Sequence, residues 1–353
     1  MTENSTFYKI SSNAIAVLDI GVSTQKFVVL DPEKPDEPLS YQRIYFALKD
    51  KKNEFDTFLK SLLRSYSDFG IRKFILTTSA SPVFDSAKET IEFISNVITK
   101  YINPKNLLCF TKDGNFVPIE KAKKEPEKIV SAGWKALGVG ASYLAQTDAL
   151  IVEFATRTTS FIPVKDYKIV SNANDDHDRV KNKELLFYGL LETNAAFIEN
   201  TFTCKDEVYF LPFENHAKTA DIFLVTKDLQ SSDYIQEIGL GKEQVRELAF
   251  QNIAKMFSII DPKYDKKILV EYAMDIRDKL INTIIRIIDI KLDEYNLENI
   301  ILVGIGEEIL YQHLVNKTKA KNIIQGKNLL HITEINPAYA IGAIYAQRMN
   351  LNE

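Results

Sequence analysis

Cysteine is nearly missing from this chain: two residues, Cys109 and Cys204, in 353. So distant a pair builds neither a disulfide framework nor, by itself, a zinc site, and both are expected as buried thiols in a reducing cytosol. Glycine is also scarce, at 13, which excludes collagen-like and glycine-repeat segments. There is no basic surplus, since 44 Lys and Arg face 48 Asp and Glu for a net charge of −4. A protein that neutralises duplex phosphates carries such a surplus, so no nucleic-acid partner is expected. No apolar run approaches the ~20 residues that span a bilayer; the run from Ile284 to Ile290 is broken by Arg286 and Asp289. Residues 1–13 are polar and lack the basic-then-apolar order of a signal peptide. They read as a flexible tail, and the protein as cytoplasmic with no membrane partner. The Gly-x-Ser-x-Gly elbow of serine hydrolases and the Walker phosphate loop are absent as well.

What remains is 45% hydrophobic and 26% charged, the profile of a globular protein long enough for two domains. The first apolar run, Ala14 to Gly21, ends in Asp-x-Gly and is followed after a short polar link by Phe27-Val-Val-Leu30. Two such runs joined by a Gly/Ser/Thr turn predict a β-hairpin. Three prolines between Asp31 and Pro38 predict a loop. Three-and-four spacing of Phe55, Phe58, Leu59, Leu62 and Leu63 predicts a helix over Glu54 to Tyr66. A strand at Lys73 to Thr77 and a helix near Asp85 to Tyr101 complete a β-β-α-β-α order, that of an α/β domain with a mixed sheet. The small-residue stretch Ser131 to Gln146 suits a helix packed closely on a sheet.

At Ala149 the hairpin pattern returns: Ala149 to Phe154, a Thr-rich turn, then Ser160 to Val164. The recurrence predicts two related halves, 14–147 and 148–336, with the helix opened by Pro337 (337–350) packing back on the first. Helices over Glu243 to Ile259 and Lys266 to Ile290 follow, then the strand Ile300 to Val303 and the turn Gly304-Ile-Gly306 into another helix. Gly239-x-Gly241-Lys242 has no strand before it and reads as a loop.

Three segments carry candidate chemistry. In the first hairpin turn Gly21 permits close backbone approach, and N–H groups with the Ser23 and Thr24 hydroxyls form a phosphate cradle. Asp19 stands where it would hold Mg²⁺ or a water, and Lys26 adds positive charge; an ordinary hairpin turn favours the same residues. The late turn at Gly304 and Gly306 offers backbone to a nucleotide. In Asn174 to Arg179, alternate residues of an extended segment share a face, so Asp176 and Asp178 would jointly hold Mg²⁺; the other reading is a hydrated turn rich in Asx residues. His216, His313 and His331 have no Cys or carboxylate at ligand spacing and are expected on the surface or in the core. Trp134 is expected in the core, whereas Phe187 and Tyr188 are either core or a stacking platform for a flat ring.

Two opening hairpins and a late strand–glycine turn resemble the actin, hexokinase and Hsp70-like ATPase superfamily. That implies two ribonuclease-H-like domains with mixed sheets and an interdomain cleft. A narrower resemblance rests on Leu18-Asp-Ile-Gly21, Asp113-Gly-Asn-Phe116, Asp176-His-Asp-Arg179, Thr219-Ala-Asp221, Val303 to Leu310 and Asn336-Pro-Ala-Tyr339. These stretches are similar to the archaeal hydantoinase/oxoprolinase-like proteins of tetrahydromethanopterin-linked one-carbon metabolism, which include methanofuran-biosynthesis synthases. The resemblance implies a transferase acting on a diphosphate-activated substrate, with Thr158, Thr159, Arg157, Arg179 and Glu307 joining the cradle, and ATP or a substrate diphosphate as ligand.

Departures from that family cluster at the expected site. Its second phosphate turn resembles Asp-x-Gly-Ser-Thr-Thr-Thr-Asp, whereas Glu153, Ala155, Arg157 and Ser160 stand here, and Thr77-Thr-Ser79-Ala80 replaces Thr-x-Glu-Leu. Glu192 occupies a place where the family tends to carry Arg; facing a diphosphate, each unit charge pair at 4 Å would repel by ~4 kcal/mol at an effective dielectric of 20. Three functions follow: a phosphate-ligand transferase or ATP-dependent enzyme, an eroded paralogue serving as a binding or partner subunit (a homo-oligomer, or a hetero-oligomer with an intact homologue), or a scaffold.

Overall fold

The computed structural model describes residues 13–231, 234, 242–260, 266–315, 317–330 and 334–350. All but the last residue of the expected tail over 1–13, the loop at Gly239 to Gly241 and His331 lie outside them. The chain divides into two compact units, Met1–Gly140 with Leu330–Glu353, and Ala141–Leu329. The boundary falls inside a helix rather than at the predicted turn after it.

In the first unit the strands are β1 (Ile15–Ile20), β2 (Thr24–Leu30), β3 (Ser40–Tyr45), β4 (Lys73–Thr78), β5 (Leu107–Phe110) and β6 (Phe116–Pro118), ordered β3-β2-β1-β4-β5-β6. β1 is antiparallel to β2 but parallel to β4, which is parallel to β5. All six residues of β1 are buried, as a central strand covered on both faces requires. Helices α1 (Phe55–Arg64) and α2 (Ala87–Ile98) bury Leu59, Leu62, Ile91 and Ile94 against the sheet core with Leu18, Phe27 and Leu76; each such side chain contributes roughly 1.5–3 kcal/mol. Ser86 caps α2 by accepting the Glu89 N–H at 3.1 Å. After α3 (Ile119–Ala122) comes α4 (Gly133–Ala145), whose Gly133 lies near Thr77 of β4 as well as near a second helix. A Cβ on Gly133 or on Gly140 would stand 2.9 Å from Pro337 or Ala340 of the C-terminal helix Pro337–Asn350. That helix belongs to the first unit, where Gly342 lies against Leu30 and Val17. Tyr41, Arg43 and Asn336 converge on the buried Glu334 just ahead of it: the Tyr41 hydroxyl donates to Glu334 Oε1, and Arg43 reaches Oε2 at 2.5 Å.

In the second unit β7 (Ala149–Phe154) and β8 (Thr159–Lys165) form the second hairpin, and the main sheet runs β10-β8-β7-β13-β14, with β9 (Lys168–Ile169) on β8, β10 (Leu185–Leu186), β13 (Asn299–Val303) and β14 (Asn322–Gln325). Again the hairpin's first strand pairs in parallel with the next long strand, β7 with β13, which in turn pairs with β14. β11 (Thr201–Cys204) and β12 (Glu207–Phe210) form a separate two-stranded ribbon. The helices are α5 (Asp176–Lys181), α6 (Ala195–Ile198), α7 (Thr219–Thr226), α8 (Lys242–Met256), α9 (Lys266–Tyr295) and α10 (Glu307–Leu314). α7 and the long α9 share an apolar core with β7 and β13. Both units thus carry the ribonuclease-H-like arrangement of the α/β class. Among the described residues no helix is long and apolar enough to cross a membrane.

Candidate functional site

In open α/β sheets ligands approach the carboxyl ends of the parallel strands. In the first unit those ends are Asp19 to Gly21 and Thr77 to Ser79. The β1–β2 register sets Asp19 opposite Lys26, and Lys26 Nζ lies 3.1 Å from Asp19 Oδ2. Lys26 therefore serves Asp19 in this state rather than a phosphate. Nor is the Gly21 N–H open to an anion, because it donates to Gln25 Oε1 at 2.9 Å. The same Gln25 amide donates to the carbonyls of Gly21 and Phe46 at 3.1 and 2.9 Å. A side chain on Gly21 would meet the Thr24 carbonyl oxygen at 2.5 Å, so the turn needs glycine for closeness to its own backbone. Ser23 and Thr24 are buried and partnered. The Thr78 hydroxyl donates to the Ile20 carbonyl at 2.7 Å. Chain pairing, not ligand, satisfies most of this turn.

In the second unit the structure gathers more of the predicted residues. Glu153, buried at the end of β7, lies beside Val303 of β13 and opposite Ser160 of β8. Gly304 takes a left-handed φ of 86° and sits where a Cβ would be 3.2 Å from the Glu153 side chain. Gly306 packs on the Phe154 ring and donates its N–H to the Phe154 carbonyl at 2.9 Å. Glu307 Oε1 accepts the Lys327 N–H at 3.0 Å, tying α10 to the end of β14. The hairpin turn is closed by the Ala155 N–H on the Thr158 carbonyl at 2.9 Å. Over it lies the segment 188–192: Leu190 donates to Ala155, and Leu191 and Glu192 to Thr156. The Thr159 hydroxyl donates to the Tyr188 carbonyl at 2.6 Å, which removes it from the predicted cradle; Thr158 remains half-buried. Arg157, about a third exposed, meets Glu192, whose side chain is buried, at 3.4 Å.

The pairing of Asp176 with Asp178 is a correction. The segment is the first turn of α5, not an extended strand, so residues two apart point to opposite sides of the helix. Asp175 caps it, and Asp178 turns back to accept the Asn174 N–H at 3.0 Å, which holds its carboxyl below the usual range. Asp176 pairs instead with Arg179 at 3.0 Å. Arg179 is buried; loss of water lowers its pKa, while the fields of Asp176, Glu153 and Glu184 oppose that. Asp176 and Asp178 thus share no face on which to hold one ion, and among the described residues no group of three or more His, Cys, Asp or Glu is arranged to hold a metal.

Residue spacing also concealed several buried polar centres. Glu184 accepts from Ser171 and Tyr295, each at 2.6 Å. Asp228 meets His313 at 3.2 Å and Arg277 at 3.3 Å; at the surface, His216 pairs with Glu214. Asp221 caps α7 through the Lys218 N–H and is pushed up to about 6 by burial. A hollow of about 400 Å³ lined by Gln230, Glu243, Arg246, Phe250 and Lys266 shares no residue with these clusters. Trp134 is buried, Phe187 is exposed, and Cys204 is only half-buried, donating to Glu271.

No protein-family model matches the chain. It is 25% identical over 336 residues to a (4-{4-[2-(gamma-L-glutamylamino)ethyl]phenoxymethyl}furan-2-yl)methanamine synthase of Methanocaldococcus jannaschii, covering 94% of this chain and 98% of that one. This likeness runs nearly end to end. A synthase of the same name from Methanococcus vannielii is 28% identical over 211 residues, 58% of this chain and 93% of that one. The hydantoinase/oxoprolinase part of the expected resemblance finds no counterpart in these comparisons. Among solved structures, component A of the (R)-2-hydroxyglutaryl-CoA dehydratase of Acidaminococcus fermentans aligns over 96% of this chain and 99% of that one at 8% identity and a TM-score of 0.48. A ROK family glucokinase from Streptomyces griseus aligns over 95% and 98% at 11% identity and 0.45.

Proposed function

We propose that the protein binds a phosphate-bearing small molecule, either a nucleotide or a diphosphate-activated substrate, and acts as a transferase of the synthase type. The names of the two archaeal synthases describe a product in which a phenol oxygen is joined to a methylene on a furan ring. Made from a diphosphate-activated furan, that ether needs the phenol O–H to lose its proton, a C–O bond to form, and the bond from carbon to diphosphate oxygen to break with diphosphate leaving. The observation that carries this reading is the convergence of Glu153, Arg157, Gly304 and Gly306 around the carboxyl end of β7. Arg157 supplies the cation a leaving diphosphate requires once it exchanges Glu192 for the ligand, because a guanidinium binds phosphate oxygens in a two-point fork. No divalent ion is assigned to the protein's own carboxylates.

A second reading, a ligand-binding or partner subunit without turnover, is favoured by one specific feature. In each unit the candidate charges and donors are already matched internally, Lys26 by Asp19 and the Gly21 N–H by Gln25 in the first, Arg157 by Glu192 in the second. The deciding experiment measures thermal shifts with pyrophosphate and ATP, then diphosphate release on supplying a phenol and an activated furan. Release that Arg157→Ala removes supports the transferase; a saturable shift without release supports the binding subunit. No shift with either ligand sinks both.

A further inference from the structure

The β11–β12 ribbon leaves the outer edge of β12 bare. Lys205 and Asp206, with φ of 48° and 68°, form its two-residue turn. The register pairs Thr201 with Phe210, Phe202 with Tyr209, Thr203 with Val208 and Cys204 with Glu207, and the Leu211 N–H donates to the Asn200 carbonyl at 2.8 Å. Bonded and non-bonded pairs alternate along an antiparallel ladder. Glu207, Tyr209 and Leu211 therefore bond within the ribbon, and the N–H and C=O groups of Val208 and Phe210 point away from it. Among the described residues no hydrogen bond reaches those four groups. On the opposite edge Glu199 Oε1 accepts the Thr201 N–H at 3.0 Å.

The side chains follow the same division. Phe202 and Tyr209 face inward and pack on Phe257 and Tyr272. Val208 and Phe210 share the outer face, 54% and 81% exposed, and Phe197 and Phe213 are each 65% exposed in the segments just outside the ribbon. Proteins ordinarily blunt a bare edge with lysine, proline or a bulge; past Glu207, β12 has none of these.

We propose that β12 is a dimer interface, pairing antiparallel with β12 of a second copy about a two-fold axis through Tyr209. The strand is complementary to itself. Its two outward-facing residues lie one on either side of Tyr209, so the rotation sets Val208 against Phe210 of the second copy, and Phe210 against its Val208, and satisfies all four bare groups on each chain. Every pair so formed on the outer face is apolar. Glu207 falls opposite Leu211 rather than another carboxylate, so no like charges meet. The result is a four-stranded sheet in place of a ribbon that is marginal alone, joined by the isologous contact that a two-fold dimer requires.

Sedimentation of the full chain across a concentration series tests this. The expected result is a monomer–dimer equilibrium. Val208→Pro removes an N–H that the ribbon itself does not use, and Phe210→Asp sets charge in the apolar pair. Each is expected to raise the dimer dissociation constant at least tenfold (about 1.4 kcal/mol), with the circular dichroism spectrum of the folded chain retained. Phe210→Asp, a solvent-side change, decides alone if the proline variant does not fold. A chain that stays monomeric at every concentration overturns the proposal, and so does a dimer that Phe210→Asp leaves intact.

Discussion

The guanidinium of Arg157 rests 3.4 Å from the carboxylate of Glu192. The two residues that depart from the expected synthase pattern thus meet in one ion pair, the turn that carries the cation lying beneath the segment that carries the anion. Replacing Glu192 with Gln keeps the shape and frees the cation. Pyrophosphate affinity measured by calorimetry is expected to rise about fivefold, since an ion pair with one exposed partner is worth up to ~1 kcal/mol. An unchanged affinity would take Arg157 out of the proposed site.

Gly189 decides whether that pair can form. A Cβ there would stand 2.3–2.5 Å from the backbone of Arg157. Gly189→Ala must push the two segments apart, at a cost of about 1–3 kcal/mol. A lower urea midpoint together with weaker pyrophosphate binding is the expected outcome. A fall in stability alone would mean that the segment does not shape the anion site.

Glu334 holds Arg43 and Tyr41 against the start of the C-terminal helix. Glu334→Gln leaves the Tyr41 hydroxyl an acceptor but strands the Arg43 charge. Breaking a fully buried pair costs 3–5 kcal/mol; Arg43 is about a quarter exposed, so roughly 1–3 kcal/mol is expected by chemical denaturation. Equal midpoints for the two proteins would show that the pair contributes nothing.

Two carboxylates give opposite pH dependences. Asp221 has its pKa raised to about 6 by burial, against an ordinary 3.8. Between those values the folded state binds more protons than the unfolded one, so this group's contribution makes stability fall as pH rises through the window, by up to ~3 kcal/mol. Glu308 is lowered to about 2 from 4.5 by Lys327, Gln325 and Gln312, so its contribution is present above 4.5 and is lost as pH falls toward 2. Asp221→Asn should flatten the slope between pH 4 and 6 and leave the acid limb in place. Unfolding free energies from urea titrations at each pH distinguish the two, and an unaltered slope would assign it to other groups.

Much of the fold was legible in the residues. The two hairpins, the helices around Leu59, Ile94 and Ile284, and the strand at Ile300 to Val303 lie where apolar spacing put them. The half-site at β7 was legible in part, because Gly304 and Gly306 are glycines that a close backbone approach to Glu153 and Phe154 requires. α5 was misread, since six residues capped by Asp175 have too few apolar positions to reveal a helical period. β12 was not anticipated, because Val208 and Phe210 face solvent and no buried stripe marks the strand.

Local chemistry alone therefore determined where the chain runs straight, coils and turns, since backbone preference and apolar periodicity act over a few residues. Only the tertiary structure decided which polar groups meet. Tyr41 finds Glu334 across 293 positions and His313 finds Asp228 across 85. Such partners are chosen by strand register and helix docking, and no spacing along the chain encodes them. The expected phosphate cradle followed the same rule: its glycines and threonines were visible as residue types, but whether their N–H and hydroxyl groups were open or bonded to each other depended on how the strands paired.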